Sequence, residues 1–142
     1  MWELDSMADV TIIAADVQTT TSTRTWQGIA GATVTAGQPV YADAADSNKY
    51  KPADADASVT AAAVGVAIHG AAAGQPLIVA QYGSLTVSAV MTAGEVYCVS
   101  TTAGGIAPVG DLTTGNYVTV LGVATTTSNL KLGLNASATA KP

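Results

Sequence analysis

Residues 64–87 read VGVAIHGAAAGQPLIVAQYGSLTV, and this stretch decides the fold class. Val64, Val66 and Ile68 recur at every second place, with Gly65, Ala67 and His69 between them. A two-residue period is the signature of a strand, because successive side chains point to opposite faces. The GAAAGQP segment (70–76) then turns the chain, and Leu77–Gln81 returns as a second strand that Tyr82-Gly83-Ser84 carries into Leu85–Val90. Alanine and glycine let neighbouring strands come close, so the stretch is expected to pack rather than to line a reaction site.

The same β pattern extends outward from Trp26. TVTAGQPVYAD (33–43) reads as strand, turn, strand, with Gly37 in the turn and Pro39 opening the second run. Residues 43–56 are polar and irregular, and Lys51-Pro52 interrupts regular structure. DASVTAAA (56–63) is expected to form one short helix capped by Asp56. Leu130, Leu132 and Leu134 alternate with Lys131, Gly133 and Asn135, giving a last strand with one buried and one wet face. The second half echoes the first. TAGQPVYAD (35–43) returns as TAGEVYCVS (92–100), Lys51-Pro52 as Ala107-Pro108, and Val64–Ala67 as Leu121–Ala124. Gly37 and Gly94 stand 57 positions apart, as do Gly65 and Gly122. The expectation is an all-β domain, a small β-barrel or β-tulip-like fold built on a duplicated strand-turn-strand motif.

Three regions follow: an extended N-terminal arm (1–24), a β-barrel domain (25–134) and a flexible C-terminal tail (135–142). In the arm, Val10, Ile12 and Ala14 share one face and Ile13, Ala15 and Val17 the other, before the polar TTTSTRT run. Trp2, Val10, Ile12 and Ile13 are the candidate contact residues for a partner. Met7 is a second possible start.

Of 142 residues 49% are hydrophobic, but much of that share is alanine, aromatics are 5% and Phe is absent. Such a core buries modest area per residue, so neighbouring copies or a larger surface are expected to supply further burial. Only 11% of residues are charged and the net charge is −5, which repels phosphate backbones and argues against a nucleic-acid partner. No apolar run is long enough to span a bilayer, and MWELDSMADV lacks the basic-then-apolar order of a signal peptide. Cys98 is the single cysteine and reads as a small core residue.

Reaction chemistry finds little to work with. His69 has no acid or nucleophile beside it in sequence. Asp43, Asp46, Asp54 and Asp56 lack the spacing of a calcium loop. The AGQP (73–76) and TAGG (102–105) glycines lack a following Lys-Ser/Thr and serve turns. Asn135-Ala136-Ser137 matches a glycan acceptor, relevant only to a secreted protein. Trp26, Tyr41, Tyr82, Tyr97 and Tyr117 are the side chains able to stack on a sugar or to cap a core. No enzyme, no metal and no cofactor is expected.

Three stretches together, TAGQPVY, KPADADAS and AAAVGVAIHGAAAGQPLIVAQYGSLTV, resemble the capsid decoration (cement) proteins of tailed phages, over about residues 30–134. In that family an AG-x-PVY turn precedes an alanine-rich segment, a VVG-(I/V)-A strand and an AAAG turn. The resemblance implies a homotrimer on the outer capsid surface, bound to the major capsid protein and stabilising the shell, assembled in the host cytoplasm and resident in the virion. It brings no catalytic residues. The rival expectation is a glycan- or host-binding module of a phage fibre, which would expose Tyr and Trp beside convergent Asn and Asp side chains.

Overall fold

The computed structural model describes residues 9–142. Ten strands occur among them: β1 (Gln18–Thr19), β2 (Arg24–Ile29), β3 (Pro39–Asp43), β4 (Lys49–Pro52), β5 (Ala63–Ala67), β6 (Pro76–Thr86), β7 (Val96–Val99), β8 (Ile106–Pro108), β9 (Tyr117–Ala124) and β10 (Asn129–Ala140). One short helix, α1 (Ser58–Ala61), follows β4. The strands form one antiparallel sheet in the order β4-β3-β5-β6-β10-β9-β7-β8, curled into a half-barrel, with β1 and β2 paired to β6 off this path. The chain is thus all-β and barrel-like, as the two-residue period implied.

The strand order is palindromic: β3 to β6 and β7 to β10 are two copies of one four-strand unit, joined where β6 pairs with β10. The copies agree bond by bond. Gly37 N–H donates to Ala67 O at 2.8 Å, and Gly94 N–H, 57 positions on, donates to Ala124 O at 2.7 Å. Ala67 N–H returns to Gln38 O at 2.9 Å, and Ala124 N–H to Glu95 O at 3.0 Å. Pro39↔Val66 and Val40↔Gly65 in β3·β5 become Val96↔Val123 and Tyr97↔Gly122 in β7·β9. Even the irregularity repeats. Each pair slips once, before Tyr41↔Ala63 and before Cys98↔Val120, so Val64 and Leu121 are the extra residues of matched β-bulges.

That bulge corrects the expected face of Val64. Val66 and Ile68 belong to the largest core cluster, with Leu85, Val87, Leu121 and Leu130, whereas Val64 packs with Ala67, Leu77 and Val79 in a second cluster. An inserted residue flips the alternation, and sequence period alone carries no trace of the insertion. A third, small cluster forms around Ala55, Cys98 and Leu112. The cap of α1 also differs from expectation. Ala57 occupies the capping position, while the Asp54 carboxylate accepts from Asp56 N–H and from the Thr60 hydroxyl, both at 3.0 Å.

Residues 9–24 and 135–141 are both more tightly held than their composition implied. Residues 9–24 are largely extended, but they lie on the domain rather than away from it. Val10 N–H donates to Ile106 O at 2.9 Å, Val10 and Ile12 pack on the main core, and Val17 is buried. Ile12 occupies the space where Gly37 lacks a side chain. The threonine run ties the segment to β6: the Thr20 and Thr23 hydroxyls both donate to Ser84 O, at 2.8 and 2.5 Å. At the other end, the expected tail begins inside β10, which continues to Ala140 and pairs there with Tyr117. Lys141 N–H then donates to Asn116 O at 2.7 Å, and its Nζ to Leu112 O at 2.6 Å. Backbone bonds rather than apolar burial hold residues 135–141, so no hydrophobic pattern announces them.

Candidate functional site

His69 serves the backbone. Its Nε2 accepts from Ile78 N–H at 3.1 Å, which leaves Nδ1 to donate to Gly70 O at 2.9 Å. The imidazole therefore closes the β5–β6 turn and has both nitrogens engaged. The four aspartates divide into two groups. Asp43 and Asp46 flank Lys51, whose Nζ lies 2.7 Å from Asp43 and 3.3 Å from Asp46, while Lys49 lies 3.8 Å from Asp46. The Lys51 bond, with help from Ala45 N–H, holds the Asp43 carboxyl below its usual range, and Asp43 in turn holds Lys51 above its own. Asp54 is spent on α1, as described.

Cys98 is buried, and burial, seconded by the charge of Glu95, pushes its thiol up to about 11. Such a thiol stays protonated near neutrality and is a poor nucleophile. Asp111 is the one described side chain with a buried polar atom lacking a partner, Oδ2, and burial raises its carboxyl, with Asp9 and Glu95 adding to the shift. Among the described residues no group of three or more His, Cys, Asp and Glu has metal-holding geometry, and no helix is long and apolar enough to cross a membrane.

The aromatics divide sharply. Tyr97 is core, and its hydroxyl accepts from Thr92 N–H at 2.8 Å. Trp26 and Tyr82 are each 62% exposed. Trp26 stands on β2 at the mouth of a cleft of about 550 Å³. One wall of the cleft is β2 itself, and the other is the β3–β4 hairpin, carrying Ser47 and Asn48. The two walls meet at one end, where Ala30 bridges Tyr50 and Gly31 N–H donates to Tyr50 O at 2.7 Å. Tyr50 forms the floor. Its ring lies so close under Gly28 that a Cβ there would stand 2.7 Å from Cζ. Burial raises the Tyr50 hydroxyl above its usual range. Tyr50 and Asn48 were not singled out by sequence reasoning, because nothing local joins them to Trp26.

Of the candidate contact residues, Trp2 lies outside the described residues. Val10 and Ile12 face inward onto the chain's own core. Ile13 points out, 56% exposed, with its N–H donating to the Ser88 hydroxyl. Val90, 39% exposed, is tied to the same residue through its N–H to Ser88 O at 2.7 Å. Ile13 and Val90, well separated in sequence, are thus both exposed and both bonded through their N–H groups to Ser88. No family model, curated protein or solved structure matches this chain.

Proposed function

We propose that this chain is a capsid decoration protein of a tailed phage, a homotrimer that seats on the outer shell surface and binds the major capsid protein. The observation that carries the reading is the Ile13–Val90 pair. Both side chains are exposed and both backbones are bonded to Ser88, so a partner covering them would remove apolar surface from water. The low charge density and the many small side chains suit close contact between subunits. Three such faces on one trimer gain avidity, because once one is seated the others rebind at high effective concentration. The sequence resemblance over about residues 30–134 points the same way. Residence in the virion, on its outside, belongs to the same proposal.

Two measurements test it. Mass photometry of the purified chain is expected to show a trimer of three 14.0-kDa chains, about 42 kDa. Pull-down with empty capsids is expected to retain the wild type and lose an Ile13→Asp/Val90→Asp variant, both positions being exposed enough to leave folding intact. A strict monomer that passes over capsids, or a double variant that binds undiminished, rejects the reading.

A further inference from the structure

We propose that the cleft between β2 and the β3–β4 hairpin is a binding site for a short neutral oligosaccharide, a function separate from shell binding. A sugar ring has an apolar C–H face and a rim of hydroxyls, and the cleft offers the complement of both. Trp26 exposes a broad indole surface at its mouth. Ser47 and Asn48 from the hairpin supply uncharged donors and acceptors around it. Lys49, the one charged residue in the lining, lies 3.8 Å from Asp46, the neighbouring Lys51 is bonded to Asp43, and the Gln81 amide is bonded to Val64 O. The side chains of Ser47 and Asn48 make no hydrogen bond with a described residue, which leaves them available to a ligand. The volume falls within the range of about 300–1,000 Å³ typical of small-ligand sites.

The rim is also built in advance of any ligand. Ser47 and Asn48 are consecutive residues in the left-handed region, at φ 57° and 60°, a conformation that side chains other than glycine adopt at a cost. The tip is fastened in that shape by Asn48 N–H to Asp43 O at 2.8 Å, by Ala45 N–H to the Asp43 carboxylate at 3.0 Å, and by the Lys51 bridge to Asp46. A pre-shaped rim spares the ordering cost of binding. The Lys49 charge is offset by Asp46 at 3.8 Å, and the chain as a whole carries −5, so a neutral sugar suits the cleft better than an anionic one.

Saturation-transfer NMR with cellotriose, maltotriose, mannotriose and tri-N-acetylchitotriose, each at about 1 mM, tests the site at the affinity expected of one short ligand. At least one is expected to receive saturation on its ring C–H protons. Trp26→Ala is expected to weaken that binding about tenfold or more, since a stacked Trp is commonly the anchor of its site. Asn48→Gly keeps the backbone shape while deleting the amide, and is expected to weaken it to a smaller degree. Trp26→Ala should keep the wild-type thermal midpoint, Asn48→Gly should match or exceed it because glycine relieves the left-handed backbone, and both should keep the wild-type hold on capsids, which separates this site from the Ile13–Val90 face. Binding of none of the four sugars, or binding unchanged in both variants, overturns the proposal. So does a cleft that takes only an extended peptide or an acidic polysaccharide.

Discussion

The two four-strand units share their turns, their bulges and their register, yet they treat their outer strands differently. In the first, the free side of the outer strand β4 meets the segment after β2 only at Tyr50, through the Ala30 bridge and Gly31 N–H to Tyr50 O, and the remaining seam toward β2 stays open as the Trp26 cleft. In the second, the outer strand β8 receives Val10 N–H at Ile106 O, and the half-buried Val10 and Ile12 pack on the main core. One copy closes its flank with the chain's own N-terminal segment, and the other leaves a polar-rimmed hollow. The lesson is that duplication fixed the scaffold, while the non-repeated residues 9–31 decided which copy holds an opening.

The matched glycines give the largest test of this comparison. A Cβ on Gly122 would stand 2.8 Å from the carbonyl carbon of Lys131 and closer still to its oxygen, both backbone of β10. A Cβ on the equivalent Gly65 meets chiefly the Val79 side chain, with Cβ at 2.8 Å, and Ala80 O at 3.0 Å. Gly122→Ala is expected to cost at least the upper end of the about 1–3 kcal/mol of overpacking, and Gly65→Ala less, because a side chain yields more readily than a backbone. Urea midpoints that fail to rank Gly122→Ala below Gly65→Ala would break the claim that β9·β10 is the tighter pair.

A second matched pair isolates the docked N-terminal segment. Gly37 and Gly94 share a left-handed backbone, φ 92° and 88°, so alanine at either pays about 1–2 kcal/mol of conformational strain. Gly94 has open space around it, whereas Ile12 lies against Gly37. Gly37→Ala is therefore expected to lose a further about 1–3 kcal/mol. Deleting residues 1–13 should erase that difference in thermal or urea unfolding. Persistence of the gap after truncation would detach Ile12 from the explanation.

The smallest expected effect distinguishes the acids of the two units. Asp43 has a lowered folded-state pKa, so its contribution is present above the ordinary carboxylate value and lost as pH falls through the lowered one. Lys51 has a raised one, so its contribution is present below the ordinary lysine value and lost as pH rises through the raised one. Asp111 runs opposite to Asp43. Its raised folded-state pKa means that folding favours the protonated form, and the benefit is lost as pH rises through that value. At pH 7, Asp43→Asn is expected to lower the thermal midpoint slightly and Asp111→Asn to raise it slightly. Shifts of the same sign would refute this assignment.

Much of this architecture could be read in the chain. The alternation on either side of GAAAGQP marked β5 and β6, and the 57-residue recurrence of Gly37 and Gly65 marked the duplication, because both signals rest on residues that the backbone geometry itself demands. Val64 was assigned to the wrong face because a bulge adds a residue without changing composition. Residues 135–141 looked like a tail because their partners, Tyr117, Asn116 and Leu112, hold them by main-chain and lysine bonds. The cleft was only half legible. Trp26 could be named as a stacking side chain, but Ser47, Asn48 and Tyr50 join it through a contact between strands more than twenty residues apart. The alternation offers Val10, Ile12 and Ile13 alike as contact residues and does not tell the outward Ile13 from the inward two, and Val90 is linked to it only through Ser88.

The palindromic strand order also carries a kinetic consequence. Within each unit the pairings β3·β4, β3·β5 and β5·β6, and their later counterparts, join segments near one another along the chain, so short closures suffice. The β6·β10 ladder, Thr86↔Asn129 through Tyr82↔Gly133, and the attachment of β2 to β6 span much longer separations. Each unit can therefore nucleate by itself, and zipping the two together along β6, with β2 laid beside it, is the step expected to set the folding rate.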